Sequence, residues 1–188
     1  MSDDTALDAG ELAAWLHDAD AALRDGRTAT VPCGDCTACC TSSQFVHIAP
    51  DETATLARIP KALLFPAPGM PRGHVVLGYD TRGQCPMLID GRCSIYEVRP
   101  RTCRTYDCRI FAATGVAQDE PGAAAIARRA RRWQFTGAVA AADAERIAAA
   151  AAAAFLRAHP ALLTDAGIPP TATQVAVVAL AIRRSFVA

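Results

Sequence analysis

The chain has 188 residues, with 19 basic and 19 acidic side chains, so its formal net charge is zero. Apolar residues make up 52 % and charged residues 20 %, a globular composition. Charge balance argues against a generic nucleic-acid binder, which needs a cationic surplus or a basic face. No charge-free run of about 18 apolar residues occurs, so no transmembrane helix is expected. The opening Met1-Ser2-Asp3-Asp4 is acidic where a signal peptide would be basic, so the expected compartment is the cytoplasm.

Residues 6–25 predict an amphipathic helix, with Leu12, Trp15, Leu16, Ala19 and Leu23 at helical spacing and Gly26 as its stop. Gln44 to Ile48 reads as a short strand, and Pro50-Asp51-Glu52 opens a helix running to Arg58. Pro60, Pro66, Pro68 and Pro71 mark a loop. His74 to Tyr79 reads as a strand. Asp90-Gly91, between the runs ending at Ile89 and starting at Arg92, predicts a β-hairpin with a type I′ turn. Together these strands predict one small antiparallel sheet. Pro100 suits the start of a short helix. Alanine is missing from Gly69 to Ile110 and dominates from Ala138 to Ala154. Helices are expected at about 121–134, 139–158 and 171–186. Arg128, Arg129, Arg131 and Arg132 on the first of them read as a solvated face, with an anion contact as the alternative. The predicted class is α+β: a small antiparallel sheet and metal-binding loops flanked by helices, with an Ala-rich helical C-terminal region. The expected division is an N-terminal helix at 1–30, a cysteine-cluster domain at 31–118, and a helical region at 119–188 packing on it.

The chemistry concentrates in eight cysteines: Cys33, Cys36, Cys39, Cys40, Cys85, Cys93, Cys103 and Cys108. Buried small hydrophobes and disulfides are the ordinary alternatives. In a reducing cytosol such clustering points to metal or redox chemistry instead. In Cys33-Gly34-Asp35-Cys36 the C-x-x-C spacing lets the chain turn around an ion, with backbone N–H groups free to donate to sulfur. The run Cys33-x2-Cys36-x2-Cys39 resembles the start of a bacterial ferredoxin loop, but the fourth cysteine, Cys40, is adjacent to the third. Neighbouring side chains diverge, so Cys39 and Cys40 fit two ions or two corners of a cluster more easily than one mononuclear site. In the hairpin, a two-residue turn sets Leu88 opposite Cys93. Cys85 then lies roughly 10 Å further along its arm. To share a centre with Cys93 the arm must bend, and Pro86 is the place. Cys103 and Cys108 are about 140° apart on an ideal helix, so if both bind the same centre the helix must end or distort between them.

These elements, from Cys33-x2-Cys36-x2-Cys39-Cys40 through Cys85-Pro86-Met87-Leu88 and Gly91-Arg92-Cys93-Ser94-Ile95-Tyr96 with Arg99-Pro100 to Cys103-Arg104 and Tyr106, resemble the bacterial cysteine-cluster family of zinc- or iron-chelating domains. The likeness covers roughly residues 31 to 110 and implies that all eight cysteines are candidate metal ligands. A related domain in flagellin lysine N-methylases implies the alternative of an iron–sulfur-dependent enzyme. The chain carries no G-x-G-x-x-G loop after a strand.

The spacing disfavours a zinc ribbon, because only one segment carries a C-x-x-C knuckle; two four-thiolate zinc sites stay open. The ferredoxin-like loop tilts the reading toward an iron–sulfur cluster. Each zinc with four thiolates carries a formal charge of about −2, which burial makes costly. Arg99 and Arg104, with Arg92, Arg101 and Arg109, are placed in sequence to offset thiolate charge or hold an anion beside the metal. His47 lies close enough in sequence to reach the site. The metal ion is the expected partner, and its expected role is to organise the fold.

Overall fold

The computed structural model describes residues 5–25, 31, 33–137 and 139–187. They form two compact units, one of residues 1–27 with 107–188 and the other of residues 28–106. The class is α+β, with short sheets among many helices.

In chain order the first unit begins with strand β1 (Leu7–Glu11) and helix α1 (Leu12–Asp25). The first turn of the predicted helix is therefore a strand. Gly10, at φ +84°, cannot continue a helix, and its N–H is taken by the Asp8 carboxylate at 2.8 Å. Along α1, Leu12, Trp15 and Leu16 are buried as their spacing predicts, but Leu23 is exposed and Asp20 is buried. The predicted stop, Gly26, lies outside the described residues.

The second unit carries β2 (Val46–Ile48), α2 (Thr53–Leu56), β3 (Leu64–Pro66), β4 (Val75–Leu77), β5 (Leu88–Ile89), β6 (Arg92–Cys93) and α3 (Arg101–Thr105). The predicted 50–58 helix shrinks to one turn. Strand β3 falls in the stretch read as a proline loop, at the sheet edge that proline tolerates. Strand β4 is central, antiparallel to both neighbours, with His47 and Phe65 opposite Val76. Ile48 and Leu77 project inward onto Ile59, Met87 and Ile95, the core of this unit. The hairpin forms in the predicted register, Leu88 opposite Cys93, with Asp90 at φ +49° and Gly91 at +73° as a type I′ turn requires. It is a sheet of its own rather than part of a common one. Its arms are two residues long, and it joins the core through the flanking Met87 and Ile95.

The first unit resumes with α4 (Arg109–Thr114), α5 (Ala124–Arg132), β7 (Trp133–Thr136), α6 (Ala140–Ala158), α7 (Ala161–Asp165) and α8 (Ala172–Ile182). Where a helix to residue 134 was expected, Trp133-Gln134-Phe135-Thr136 instead pairs in parallel with β1, as its aromatic composition favours. Helix α6 buries Ala142, Ala148, Ala149, Ala152, Ala153 and Leu156, a stripe of small residues that lets α8 approach closely through Ala172, Ala176 and Ala179. Among the described residues, no helix is long and apolar enough to cross a membrane.

Candidate metal centre

The cysteine-rich loop is a succession of tight turns. Cys36 donates its N–H to the Cys33 carbonyl at 3.0 Å across Gly34, whose φ of +55° suits glycine. Ala38 N–H approaches the Cys36 sulfur at 3.5 Å, the amide-to-sulfur contact that the C-x-x-C spacing invites. Cys39 and Cys40 sit on a single 3₁₀ turn. The hydroxyls of Thr41 and Ser42 donate back to the Ala38 carbonyl, at 3.3 and 2.6 Å, and fix that turn.

Two backbone bonds hold this turn against the hairpin arm. Cys85 N–H donates to the Cys40 carbonyl at 2.7 Å, and Ser43 N–H to the Gly83 carbonyl at 2.9 Å. The 80–84 turn is shaped by the Asp80 carboxylate, which accepts the N–H groups of Arg82 and Gln84, both at 2.9 Å. Past it the chain turns again, Leu88 N–H reaching the Cys85 carbonyl at 2.9 Å. That is the bend at Pro86 that brings Cys85 back toward Cys93. Both cysteines pack, partly buried, on the Ile48–Leu77–Met87 core.

Cys103 arrives on α3. Pro100 precedes that helix and supplies no side-chain cap. The cap comes from Glu52, whose carboxylate accepts the N–H of Arg101 through one oxygen and that of Ala49, at 3.0 Å, through the other. Thr102 Oγ1 donates to the His47 carbonyl at 2.8 Å, and Thr55 Oγ1 to the Val98 carbonyl at 2.6 Å. The helix ends at Thr105 and Tyr106 is extended, so the helix carrying Cys103 stops before Cys108, which immediately precedes α4.

Electrostatics ties five of the sulfurs together. The Cys40 thiol donates to the Cys39 sulfur, which with neighbouring backbone N–H groups brings Cys39 down to about 7 against the opposing effect of burial. Cys40 is pushed up for the complementary reason, then by lost hydration and by negative charge on Cys39, Cys85 and Cys103. Lost hydration raises Cys85, with Cys93 and Cys39 adding to it and backbone donors opposing. Cys103, although the residue is exposed, is pushed up by lost hydration about its sulfur and by charge on Cys39, Cys85 and Cys93, with Arg99 opposing. Cys39, Cys40, Cys85, Cys93 and Cys103 therefore lie within each other's fields. They cannot all ionise there without a cation. Among the described residues, no three Cys, His, Asp or Glu side chains converge closely enough to hold an ion.

The other candidates are placed differently. Cys33, exposed like Cys39 and Cys103, and Cys36, half-buried, stand on the preceding turn. Cys108 belongs to the first unit, where Trp133 Nε1–H donates to its sulfur at 3.1 Å. His47 faces His74 with Nε2 and Nδ1 at 2.9 Å. Arg99 donates to the Tyr96 carbonyl at 3.0 Å, lies over the Tyr96 ring and bears on Cys103. Arg104 is 3.9 Å from Glu52, and Arg101 pairs with Asp51 at 2.7 Å. Arg92 is exposed, and Arg109 grips Asp107 and the Ala9 carbonyl within the first unit. Sequence reasoning missed Glu52, Thr55 and Thr102. Pro50-Asp51-Glu52 signals a helix start, but nothing in it shows that the carboxylate caps a helix some fifty positions away.

Residues 32–123 match the family model CxxCxxCC, described as "Putative zinc- or iron-chelating domain". The cysteine-bearing part of this chain, just under half of its length, is thus similar to the family so described. No curated protein and no solved structure matches the chain.

Proposed function

We propose that this protein holds zinc or an iron–sulfur cluster through cysteine thiolates, and that the metal's main work is to organise the fold of the second unit. The observation that carries this reading is that separated cysteine segments are packed side by side: Cys85 N–H bonds the Cys40 carbonyl at 2.7 Å, and Cys85 and Cys93 lie on one small core, with Cys39 and Cys103 within range of their charge. Crowded thiols raise each other's pKa, and a cation removes that penalty by stabilising every thiolate at once. The donor set fits soft metals, since it is sulfur without carboxylate. Cys33 and Cys36 stand a few residues before the Cys39–Cys40 turn and complete the set from that side. Cys108 is the eighth candidate. Arg99 offsets thiolate charge at Cys103, and Arg104 acts from the same helix. An iron–sulfur cluster accounts for the ferredoxin-like spacing, and paired four-thiolate zinc sites account for eight sulfurs equally well. A reducing cytoplasm is the compartment in which these thiols stay free to bind.

The test is metal analysis of the full chain purified without oxygen. Brown protein with sulfide-to-iron charge-transfer absorbance identifies the cluster. Colourless protein with about two zinc ions per chain identifies paired zinc sites. Ion-free protein that is nevertheless fully ordered and binds neither metal under reductant overturns the reading.

A further inference from the structure

We propose that Glu52 is the positioning residue of this centre: its buried carboxylate, bonded to the backbone of Ala49 and of Arg101, sets helix α3 so that Cys103 meets the other thiols. The inference rests on the metal reading above and adds a residue to it. Helix α3 has five residues, too few to hold its own place. Its position is fixed by what grips it, and the 47–55 stretch supplies four such grips: Glu52 on Arg101 N–H, Asp51 on the Arg101 guanidinium, the His47 carbonyl on Thr102, and Thr55 just upstream on Val98.

Glu52 differs from the rest in being both charged and buried. Its side chain is 3 % exposed, against 65 % for Asp51. An exposed pair such as Asp51–Arg101 contributes little, whereas a buried carboxylate is tolerated only where donors surround it. Those donors are two backbone N–H groups on segments far apart in the chain, with the Arg104 guanidinium nearby. Both oxygens are thereby engaged, so Glu52 acts on the centre through α3 and not as a ligand. Arg101 is the first helical residue, where the N–H has no partner inside the helix, and Pro100 offers no side-chain oxygen. Glu52 supplies the missing cap, and Cys103 follows two residues later.

The experiment is a cobalt(II) titration of the reduced, metal-stripped full chain, read by thiolate-to-cobalt charge-transfer absorbance and by competition with a chelator. Glu52→Ala is expected to weaken cobalt binding tenfold or more, as loss of a group that orients a ligand does. It is expected to add nothing in a Cys103→Ser background, because both changes remove the same sulfur. Equal loss in both backgrounds, or wild-type affinity in Glu52→Ala, overturns the proposal. Since Glu52→Ala leaves two buried N–H groups without an acceptor, Arg101→Pro and Arg101→Ala are compared as a second pair. Proline suits the first helical position and deletes only the N–H that Glu52 receives, while alanine keeps it. Weaker cobalt binding in Arg101→Pro than in Arg101→Ala supports the role, and equality opposes it. If Cys103→Ser binds like wild type, the positioning role falls and the metal reading stands on the other sulfurs. If wild type shows no thiolate–cobalt band, both fall.

Discussion

At the scale of single residues, the first unit is held by one buried ion cluster. Arg183, 2 % exposed, donates to both Asp20 oxygens at 2.7 and 2.9 Å and to Glu145 at 2.8 Å. This explains why Asp20, next to Ala19 of the predicted apolar stripe of α1 but not part of it, is buried. The hydrogen bond from Arg183 and its charge hold Asp20 below the ordinary carboxylate pKa in spite of burial. A depressed folded-state value means stability that is present above the unfolded carboxylate's pKa, near 3.9, and is lost as pH falls through the lower folded value. Asp20→Asn is therefore expected to cost about 3 kcal/mol at pH 7, the low end for breaking a buried pair because Glu145 still faces Arg183. It should also flatten the loss of stability below pH 4, and urea titrations at pH 7 and pH 3 measure both effects. An unchanged acid limb would show that Asp20 is not the group being titrated. In the second unit Gly83, at φ +75°, sits where an added Cβ would fall 2.4 Å from Ser43 Oγ. Gly83→Ala is expected to cost about 1–2 kcal/mol from the left-handed backbone alone, with the clash added. Ser43 is itself at φ +50°, so Ser43→Gly should recover the clash component, and urea midpoints of the single and double variants separate the two.

At the scale of elements, the sequence was most legible where one local signal sufficed. The Asp90-Gly91 hairpin, its Leu88–Cys93 register, the bend at Pro86 and the three C-terminal helices all follow from turn chemistry or alanine runs. It was least legible where a distant partner decides. The parallel pairing of β1 with β7 turns the ends of two predicted helices into strand, and α3 takes its cap from Glu52. Of the site, the cysteine-rich segments were readable from spacing. The contact of Cys85 with Cys40 and the placing of Cys108 beside Trp133 were not, because three-dimensional grouping depends on those distant contacts. The α6–α8 contact gives a sharp test of element packing. Ala152 is fully buried on α6 and its neighbour Ala151 is exposed. Ala152→Leu must push α6 and α8 apart and is expected to cost about 1–3 kcal/mol, whereas Ala151→Leu should stay within roughly 0.5 kcal/mol of wild type. Thermal midpoints compare them directly, and equal shifts would mean that the alanine stripe does not set the helix spacing.

At the scale of the whole molecule, the two units have different sources of stability. The first buries long helical stripes and the Arg183 cluster. The second has one core cluster of five buried apolar residues, Ile48, Ile59, Leu77, Met87 and Ile95, with strands of two or three residues around them. So small a core with such short ladders gains most from cross-links, and on the proposed function ligated metal would supply them by joining stretches far apart in sequence. Metal removal should therefore act unequally along the chain. Hydrogen exchange on the full-length protein, with and without a strong chelator under reductant, is expected to show rapid exchange appearing in β2, β4, β5, β6 and α3. The amides of α6 and α8 should keep their protection, since neither helix carries a cysteine. The amide of Cys85, bonded to the Cys40 carbonyl, is the most informative single position, because that bond depends on the two cysteine segments staying together. Protection of Cys85 that survives complete metal loss would mean that the hydrogen-bonded turns and the five-residue core alone hold the thiols in place. Loss of protection across α6 and α8 to the same degree would mean that metal governs the stability of the entire chain.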